Sequence, residues 1–262
     1  MAHPVKPLFV DLSHWDPASS YSAVKEDGIV GVIYKATEGS GYTDPTYVQQ
    51  QQSAKAAGLK WGAYHFATAA NTTAQIDNFM RYACPDPDEL FCLDWEDYGD
   101  NTMSLSAVKE WIAEVESQLD REGECVLYSG NTAKEALGDT VDTFLGSRRL
   151  WLCQYGSEPK WQKSWSGFWA WQFTDGIVGP EPHTINGIGA CDINSYDHGP
   201  EQLALEWASG KAPLRPARPP RPVAPVVTVV VDAPPGIAVK VRVLGLDVTD
   251  SGMEHLVEGR DA

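Results

Sequence analysis

Residues 91–96 read FCLDWE, an apolar run that ends in two acidic residues with one position between them. A short apolar run of this kind predicts a strand buried on both faces, as in a parallel sheet. Side chains at i and i+2 of a strand point to one face, about 6.6 Å apart along the backbone, so Asp94 and Glu96 are expected to project together. The alternative is that these acids only begin a turn or cap the next helix. We predict a functional site, because folding alone gives little reason for such a pair.

The chemistry of two neighbouring carboxyl groups narrows the kind of site. They do not ionise independently, since the charge on one disfavours the charge on the other. One keeps its proton near neutral pH and serves as a general acid, while the other stays charged. Cleavage of a glycosidic bond needs this division of roles, so the pair favours a glycosidase.

Around this strand, strand-like and helix-like segments alternate through the first 155 residues. The strand-like runs lie at residues 8–10, 28–34, 59–66, 90–95, 124–128 and 149–155. This order predicts a parallel sheet, and its strand count suits a barrel better than an open sheet. Residues 156–192 are instead rich in Trp, Gly and Pro, with short apolar runs at 168–173 and 188–193. The last strands are therefore expected to close the barrel without crossover helices.

The predicted fold class is α/β, an irregular TIM-like barrel with a small C-terminal β-type appendage. In such barrels the catalytic groups lie at the carboxyl ends of the strands. Four acids occupy predicted strand ends, namely Asp11, Asp94, Glu96 and Asp192. We expect these four side chains to converge on one face of the barrel.

A change in composition divides the chain. Residues 1–210 are predicted to form the barrel domain. Residues 211–225, KAPLRPARPPRPVAP, are rich in proline and basic residues and predict an extended linker. Residues 226–262 contain two β-like runs and predict a small β-rich tail of unknown role. A two-stranded hairpin is marginal alone, so the tail is expected to pack on a partner, self-associate or fray.

Charge and composition exclude several classes of protein. The formal net charge is −16, and no basic stripe is interleaved with aromatic residues, which argues against a nucleic-acid partner. No apolar run approaches the roughly 18 residues that span a membrane. The first ten residues lack the apolar core and cleavage site of a secretory signal, so the expected location is the cytoplasm. The odd number of cysteines, spread without a C-x-x-C pair, predicts reduced thiols and no metal or other cofactor.

Seven short motifs follow one another: VDLSHW (10–15), YKATEG (34–39), GAYHF (62–66), LDWE (93–96), LYSG (127–130), WQF (171–173) and CDIN (191–194). In this order, over about residues 8–200, they resemble the successive motifs of glycoside hydrolase family 25 lysozymes. The resemblance implies a barrel of five β/α units followed by three β-strands. It also implies N-acetylmuramidase activity, the cleavage of the β-1,4 bond between N-acetylmuramic acid and N-acetylglucosamine in bacterial peptidoglycan.

The resemblance further implies roles for individual residues. Glu96 is the general acid/base, Asp94 orients or stabilises the 2-acetamido group of the substrate, and Asp11 and Asp192 are the remaining acids of the cleft. Residues expected to contact substrate are Tyr64, Gln172, Trp171, Tyr128 and Lys35. Lys35 and Glu38 pair either with each other or with the active site.

Aromatic rings beside the motifs suit a sugar-binding cleft, because flat rings stack on pyranose faces, although most aromatic residues simply fill cores. The cleft candidates are Trp15, Trp61, Tyr64, Trp95, Tyr128 and Trp171. His14 and His65 also adjoin strand ends, but no serine or cysteine partner indicates a catalytic triad. Both histidines are therefore interpreted as structural or supporting residues.

Three mechanisms remain open from the residues. The D-x-E spacing lies near the border between the ~5 Å separation of a carboxylate nucleophile and the wider gap that admits a water. In the third mechanism the acetamide of the substrate attacks, and Asp94 only holds it and stabilises the cation that forms. We favour this substrate-assisted route, which proceeds with retention.

Two other functions share features with this sequence. A chitinase of the other substrate-assisted barrel class carries D-x-x-D-x-D-x-E, which requires aspartates at positions 89 and 92, where this chain has Glu89 and Cys92. A non-catalytic peptidoglycan- or chitin-binding barrel is the second rival, but such modules usually lose the acid that Glu96 supplies here. The expected setting is lysis of a host cell by a phage-type endolysin, with an injected toxin or a truncated secreted lysozyme as alternatives.

Overall fold

The structure is a computed structural model that describes residues 5–208. Its strands are β1 (Pro7–Leu12), β2 (Gly31–Glu38), β3 (Tyr42–Thr43), β4 (Lys60–Phe66), β5 (Leu90–Asp94), β6 (Val126–Ser129), β7 (Arg149–Cys153), β8 (Ala170–Thr174), β9 (Thr184–Ile185), β10 (Gly189–Ala190) and β11 (Asp192–Ser195). Its helices are α1 (Tyr21–Glu26), α2 (Tyr47–Ala56), α3 (Thr72–Tyr82), α4 (Leu105–Leu119), α5 (Asn131–Leu137), α6 (Thr143–Gly146) and α7 (Pro200–Glu206). The predicted linker and tail, residues 211–262, lie outside the described residues.

Eight strands form a closed barrel in the order β1, β2, β4, β5, β6, β7, β8 and β11, and β11 returns to β1. Neighbouring strands from β1 to β8 are parallel, and β11 is antiparallel to both of its neighbours. Helices follow the first five barrel strands, whereas β7, β8 and β11 succeed one another without a crossover helix. The predicted class, five β/α units followed by three strands, is confirmed.

Two strands begin later in the chain than the sequence predicted. Gly28 adopts a φ of 93°, a left-handed conformation that ends α1, so β2 begins at Gly31 instead of residue 28. The single run predicted at 188–193 is wrong, because β10 belongs to a separate hairpin with β9 and β11 begins only at Asp192. Asp192 therefore opens a strand. Since β11 is antiparallel, its first residue still lies at the end of the barrel where the parallel strands finish.

The alternation of side chains along the strands separates two apolar layers. The inner layer fills the barrel and includes Phe9, Ile33 and Cys92. The outer layer lies between strands and helices and includes Trp61 and Trp171. Because strand side chains alternate, the next inward positions beyond the inner layer line the carboxyl end of the barrel. These positions hold Asp11, Lys35, Tyr64, Asp94, Tyr128, Cys153 and Gln172.

The amino end of the barrel is closed by Trp207, which follows α7. Its indole N–H donates to the Trp61 carbonyl at 2.7 Å, and the ring lies under Gly31, where a Cβ would be 2.6 Å from it. The guanidinium of Arg149 donates to the backbone carbonyls of residues 206–208 and so fixes the end of α7. Trp207 therefore fills the end of the barrel opposite the carboxyl ends of the parallel strands.

Within residues 5–208, no helix is long and apolar enough to cross a bilayer. The five cysteines all lie in this range and are unpaired thiols, as predicted. Three of them, Cys92, Cys125 and Cys191, are buried, and burial raises their thiol pKa values. These buried thiols pack as small apolar side chains.

Candidate active site

The four predicted acids meet at the carboxyl end of the barrel. Asp11 in β1 lies directly opposite Asp192 in β11. Asp94 is the last residue of β5, and Glu96 lies two residues beyond it. The charge of Glu96 raises the pKa values of Asp11, Asp94 and Asp192, which places these carboxyl groups within one electrostatic cluster.

Burial sets the protonation of this cluster. It raises the pKa of Asp11 to about 7, against the opposing hydrogen bonds from Asn194 and Gln172, and it raises the pKa of Asp192 to about 9. Burial also raises the pKa of Glu96, and it raises that of Asp94 well above its ordinary value, with the Glu96 charge acting in the same direction. The four acids therefore carry fewer than four negative charges near neutral pH, so at least part of the cluster is protonated. A general acid must hold a proton before it reacts.

Asp94 combines burial with an unused acceptor. It is a buried residue, and its Oδ1 atom has no hydrogen-bond partner among the described residues. A buried carboxylate oxygen without a partner is costly for folding. This acceptor lies at the carboxyl end of a barrel strand and is suited to accept a hydrogen bond from an N–H group of a ligand.

Lys35 supplies positive charge on the side of the cluster formed by β2. Its Nζ donates to Glu38 Oε2 at 2.5 Å and lies 4.8 Å from the ring centroid of Phe66. The same ammonium lowers the pKa values of Asp94 and Glu96. Lys35 thus pairs with Glu38 and also acts electrostatically on the two acids. Contact of Lys35 with substrate stays a prediction.

A buried hydrogen-bond network holds Asp11. The Gln172 Nε2 donates to both Asp11 carboxylate oxygens at 3.1 and 2.9 Å, and Asn194 Nδ2 donates to Oδ1 at 2.7 Å. Asn194 is itself fixed, because the Trp151 indole N–H donates to its Oδ1 at 2.6 Å. On the other side, the hydroxyl of Tyr128 donates to Gln172 Oε1 at 2.8 Å. This network joins β1, β6, β7, β8 and β11.

The phenol groups of Tyr64 and Tyr128 face the acidic cluster. Burial raises the pKa values of both well above the ordinary range, and the charges of Asp94 and Asp11 add to the effect. Both phenols therefore stay protonated and act as hydrogen-bond donors. Their placement agrees with the prediction that they lie in the cleft.

Trp171 is not brought to the cleft. Its side chain is 0% exposed and lies in the outer layer, where its indole N–H donates to the Gln154 carbonyl at 2.7 Å. The reason is the strand alternation, since Gln172 faces inward and its neighbours must face outward. The same holds for Trp61 and Trp95, which are buried in the outer layer.

The two histidines have structural partners. His65 is buried between Thr37 and Gln75, and its ring stacks on Trp111 at a centroid distance of 5.3 Å. Burial lowers the His65 pKa to about 4. His14 Nδ1 contacts the buried carboxylate of Asp44 at 2.8 Å. Neither histidine lies in the acidic cluster, as predicted.

A band of aromatic side chains borders one half of the barrel mouth. This aromatic rim consists of the exposed side chains of Trp15, Tyr42 and Tyr98, which belong to the segments after β1, β2 and β5, and of the half-buried Phe66, the last residue of β4. His14 connects two of its members, with ring centroids 4.5 Å from Trp15 and 6.0 Å from Tyr42. Phe66 and Tyr98 meet edge to face at 5.5 Å. Trp15 is 84% exposed, which is unusual for so large an apolar side chain and suits a ligand-stacking role.

Sequence reasoning missed three residues that contact the network. Asn194 lies two positions after Asp192 in CDIN, and this spacing was a signal that both share one strand face. Tyr155 donates its hydroxyl to Gln172 Oε1 at 2.8 Å from the loop after β7, and a loop contact has no periodic signal. Cys153 Sγ lies 3.4 Å from the same oxygen. Among residues 5–208, no three His, Cys, Asp or Glu side chains are arranged to hold a metal ion.

The sequence of this chain is similar to that of a known lysozyme. Over 196 residues the chain is 31% identical to the autolytic lysozyme of Clostridium acetobutylicum, which covers 72% of this chain and 56% of that relative. The chain thus spans little more than half the length of this relative.

Solved structures share the fold. The bacterial lysozyme from Streptomyces coelicolor aligns with a TM-score of 0.66 at 25% identity, covering 79% of this chain and 99% of that one. The muramidase from Trichobolus zukalii aligns with a TM-score of 0.62 at 26% identity, covering 76% and 97%. The family model described as glycosyl hydrolases family 25 matches residues 10–181, which include the motifs from VDLSHW to WQF. The chain belongs to glycosyl hydrolases family 25.

Proposed function

We propose that the chain is an N-acetylmuramidase that cleaves the β-1,4 bond between N-acetylmuramic acid and N-acetylglucosamine in bacterial peptidoglycan. One observation carries the proposal: the unpartnered, buried Oδ1 of Asp94 lies in one cluster with Glu96, whose pKa is raised. Family membership and the lysozyme and muramidase relatives support the same activity.

In the first step Glu96 acts as the general acid. Its protonated carboxyl group gives its proton to the glycosidic oxygen as the bond from that oxygen to the anomeric carbon breaks. The acetamido carbonyl oxygen of the same sugar attacks the anomeric carbon from the opposite side and forms a cyclic oxazolinium ion. The Asp94 Oδ1 accepts the acetamido N–H, which orients the group and stabilises the positive charge that develops.

In the second step Glu96 acts as the general base. The Glu96 carboxylate takes a proton from a water molecule, whose oxygen attacks the anomeric carbon and opens the oxazolinium ring. The acetamide and the protonated Glu96 are both regenerated. Two successive inversions at the anomeric carbon give net retention.

Asp11 and Asp192 support this chemistry through their charges. Both interact electrostatically with Glu96, so a negative charge on either helps Glu96 to keep its proton. Lys35 acts in the opposite direction and limits the rise in the Asp94 pKa. Lysis of a bacterial host by release from the cytoplasm stays a prediction, as does self-association through the tail.

The experiment is digestion of purified peptidoglycan, followed by borohydride reduction and mass spectrometry of the fragments. A new N-acetylmuramic acid reducing end is expected, whereas an N-acetylglucosamine end would contradict the assignment. NMR of a defined muropeptide oligomer during the first turnovers should show the β-anomer, and an initial α-anomer would exclude retention. A non-catalytic saccharide-binding barrel would bind the same material and release no fragments.

A further inference from the structure

The Tyr128 hydroxyl lies within reach of two acceptors. It donates to Gln172 Oε1 at 2.8 Å, and hydrogen bonding between the same hydroxyl and Glu96 lowers the pKa of that carboxyl group. A phenol carries a single proton and donates to one strong acceptor at a time. Tyr128 must therefore donate its hydrogen bond either to Gln172, whose amide holds Asp11, or to Glu96, and not to both at once.

Tyr155 provides a second donor to that amide. Its hydroxyl also lies 2.8 Å from Gln172 Oε1, and the weaker donor Cys153 Sγ lies 3.4 Å from it. An amide oxygen has two lone pairs, so Gln172 Oε1 keeps one strong hydrogen bond when Tyr128 turns away. This bond preserves the amide orientation in which Nε2 faces Asp11.

We propose that Tyr155 is a positioning residue that holds the Gln172 amide while the Tyr128 hydroxyl turns to Glu96 each time this carboxyl group gives up its proton. The inference rests on the proposed function, in which Glu96 loses and regains one proton per turnover. While Glu96 is protonated, Tyr128 donates to Gln172. When the Glu96 O–H bond breaks and the proton moves to the leaving oxygen, the Tyr128 O–H turns to the new carboxylate.

The phenol itself does not lose its proton in this cycle. Burial raises the pKa of Tyr128 well above the ordinary value, so the hydroxyl acts only as a donor. When Glu96 takes a proton from the attacking water, its carboxylate charge disappears and Tyr128 returns to Gln172. The movement is a rotation of the Tyr128 hydroxyl hydrogen about the bond between Cζ and the hydroxyl oxygen, and it needs no displacement of the backbone.

Several charged or titratable groups face Glu96 from the strands around it. They are Asp11 in β1, Lys35 in β2, Asp94 in β5, Tyr128 in β6, Cys153 in β7 and Asp192 in β11. Replacing Tyr155 by phenylalanine removes none of these groups. A change in the titration of Glu96 in that variant therefore reports the hydrogen bond and not a change in charge.

The test is the pH dependence of kcat/KM for Tyr155→Phe on soluble peptidoglycan oligomers. Without the Tyr155 hydroxyl, Tyr128 stays on Gln172, and the Glu96 carboxylate loses a donor. The alkaline limb, where the general acid loses its proton, should then move to higher pH by about one unit. Tyr128→Phe should move it in the same direction, and the double variant should move no further than Tyr128→Phe alone.

Tyr21→Phe is the matched control, because the Tyr21 hydroxyl is buried outside the cleft and has no hydrogen-bond partner among the described residues. Its pH profile should equal that of the wild type. A folded Tyr155→Phe enzyme with an unshifted alkaline limb, or a further shift in the double variant beyond Tyr128→Phe, would overturn the proposal.

A second measurement does not depend on turnover. Carbon-13 NMR of the glutamate side-chain carboxyl groups, with the Glu96 signal identified by its loss in Glu96→Gln, gives the Glu96 pKa directly. This pKa should be higher in Tyr155→Phe than in the wild type, and equal values would refute the role of Tyr155. If the wild type does not cleave peptidoglycan, the proposed function fails while this titration still decides the hydrogen-bond exchange.

Discussion

Gln172 holds Asp11 by both carboxylate oxygens, with its Nε2 atom 3.1 Å from Oδ1 and 2.9 Å from Oδ2. Asn194 adds a third hydrogen bond to the same carboxylate. These neutral donors favour the charged form and oppose the rise in pKa that burial causes. Asp11 is thus kept in one orientation, opposite Asp192, with a pKa close to neutrality.

Gln172→Glu tests this relationship with almost no change in shape. The substitution replaces the donor NH2 group by an oxygen and sets another acid against Asp11. We expect kcat/KM to fall at least about 10²-fold at pH 7, because like charges at hydrogen-bond distance disrupt the cluster. Circular dichroism should show an intact barrel, and activity near the wild-type level would contradict the assigned role of the amide.

Glu96→Gln should abolish turnover and leave the fold and oligosaccharide binding intact. The amide keeps the shape of the side chain but cannot give and recover a proton, and general acid/base catalysis is worth about 10²- to 10⁴-fold. Glu110→Gln is the control, because Glu110 is exposed on α4, outside the cleft. Rates of muropeptide release measure both variants. Near-normal release by Glu96→Gln would refute the catalytic assignment.

Asp94→Asn distinguishes the role of the Asp94 carboxyl group from that of Glu96. A neutral amide stabilises a developing positive charge poorly, so we expect a severe loss of kcat with little change in KM. Binding of an oligosaccharide by calorimetry supplies the independent measurement. If kcat stayed within a few fold of the wild type, the substrate-assisted route would lose its support.

The sequence predicted the acids well because parallel strands bring their carboxyl ends to one face. Asp11, Asp94 and Glu96 needed only the strand positions to be placed together. Trp171 was assigned to the cleft because it is aromatic and adjoins a motif, and this rule ignored the alternation that turns it outward when Gln172 faces inward. The alternation was available in the sequence and is the stronger criterion.

Other parts of the site had no signal in the sequence. The contact of Tyr155 with Gln172 spans 17 positions and comes from a loop, where neither strand nor helix periodicity applies. The closure of the barrel by Trp207 is a contact across 146 positions with the Trp61 carbonyl. Long-range contacts of this kind depend on the assembled barrel and not on local pattern.

Asp192→Asn should stabilise the protein at alkaline pH. The folded-state pKa of Asp192 is raised from 3.8 to about 9, so the unfolded chain loses this proton at a lower pH than the folded chain. Stability linked to Asp192 is therefore fully present below pH 3.8 and is lost as the pH rises toward 9. Thermal melts should show a gain in the free energy of unfolding of the variant at pH 8 and no gain at pH 3.5. An equal gain at both pH values would indicate a cause other than titration.

Trp15→Ala should weaken the binding of long glycan chains more than that of short ones. Trp15 lies on the aromatic rim, and an exposed ring that stacks on a sugar is worth about 1 kcal/mol, or about fivefold in affinity. Binding of oligomers of increasing length to the Glu96→Gln protein isolates this effect from turnover. Leu205→Ala, which removes a side chain exposed on α7, serves as the control and should bind as the parent does. Equal losses for all chain lengths would exclude the rim as an extended subsite.

Gly31→Ala should destabilise the barrel from the end opposite the cleft. The added Cβ would lie 2.6 to 2.8 Å from three ring carbons of Trp207, and this ring is buried and held by its hydrogen bond to the Trp61 carbonyl. Overpacking of a rigid core costs about 1–3 kcal/mol, so the free energy of unfolding in urea should fall by that amount. Gly41→Ala is the matched control, because a Cβ there meets no atom within 4 Å. Since Gly31 lies at the amino end of β2 and Lys35 at the cleft, kcat at low temperature should remain close to the wild-type value. A loss of kcat without a loss of stability would show that closure of the amino end is coupled to the geometry of the cleft.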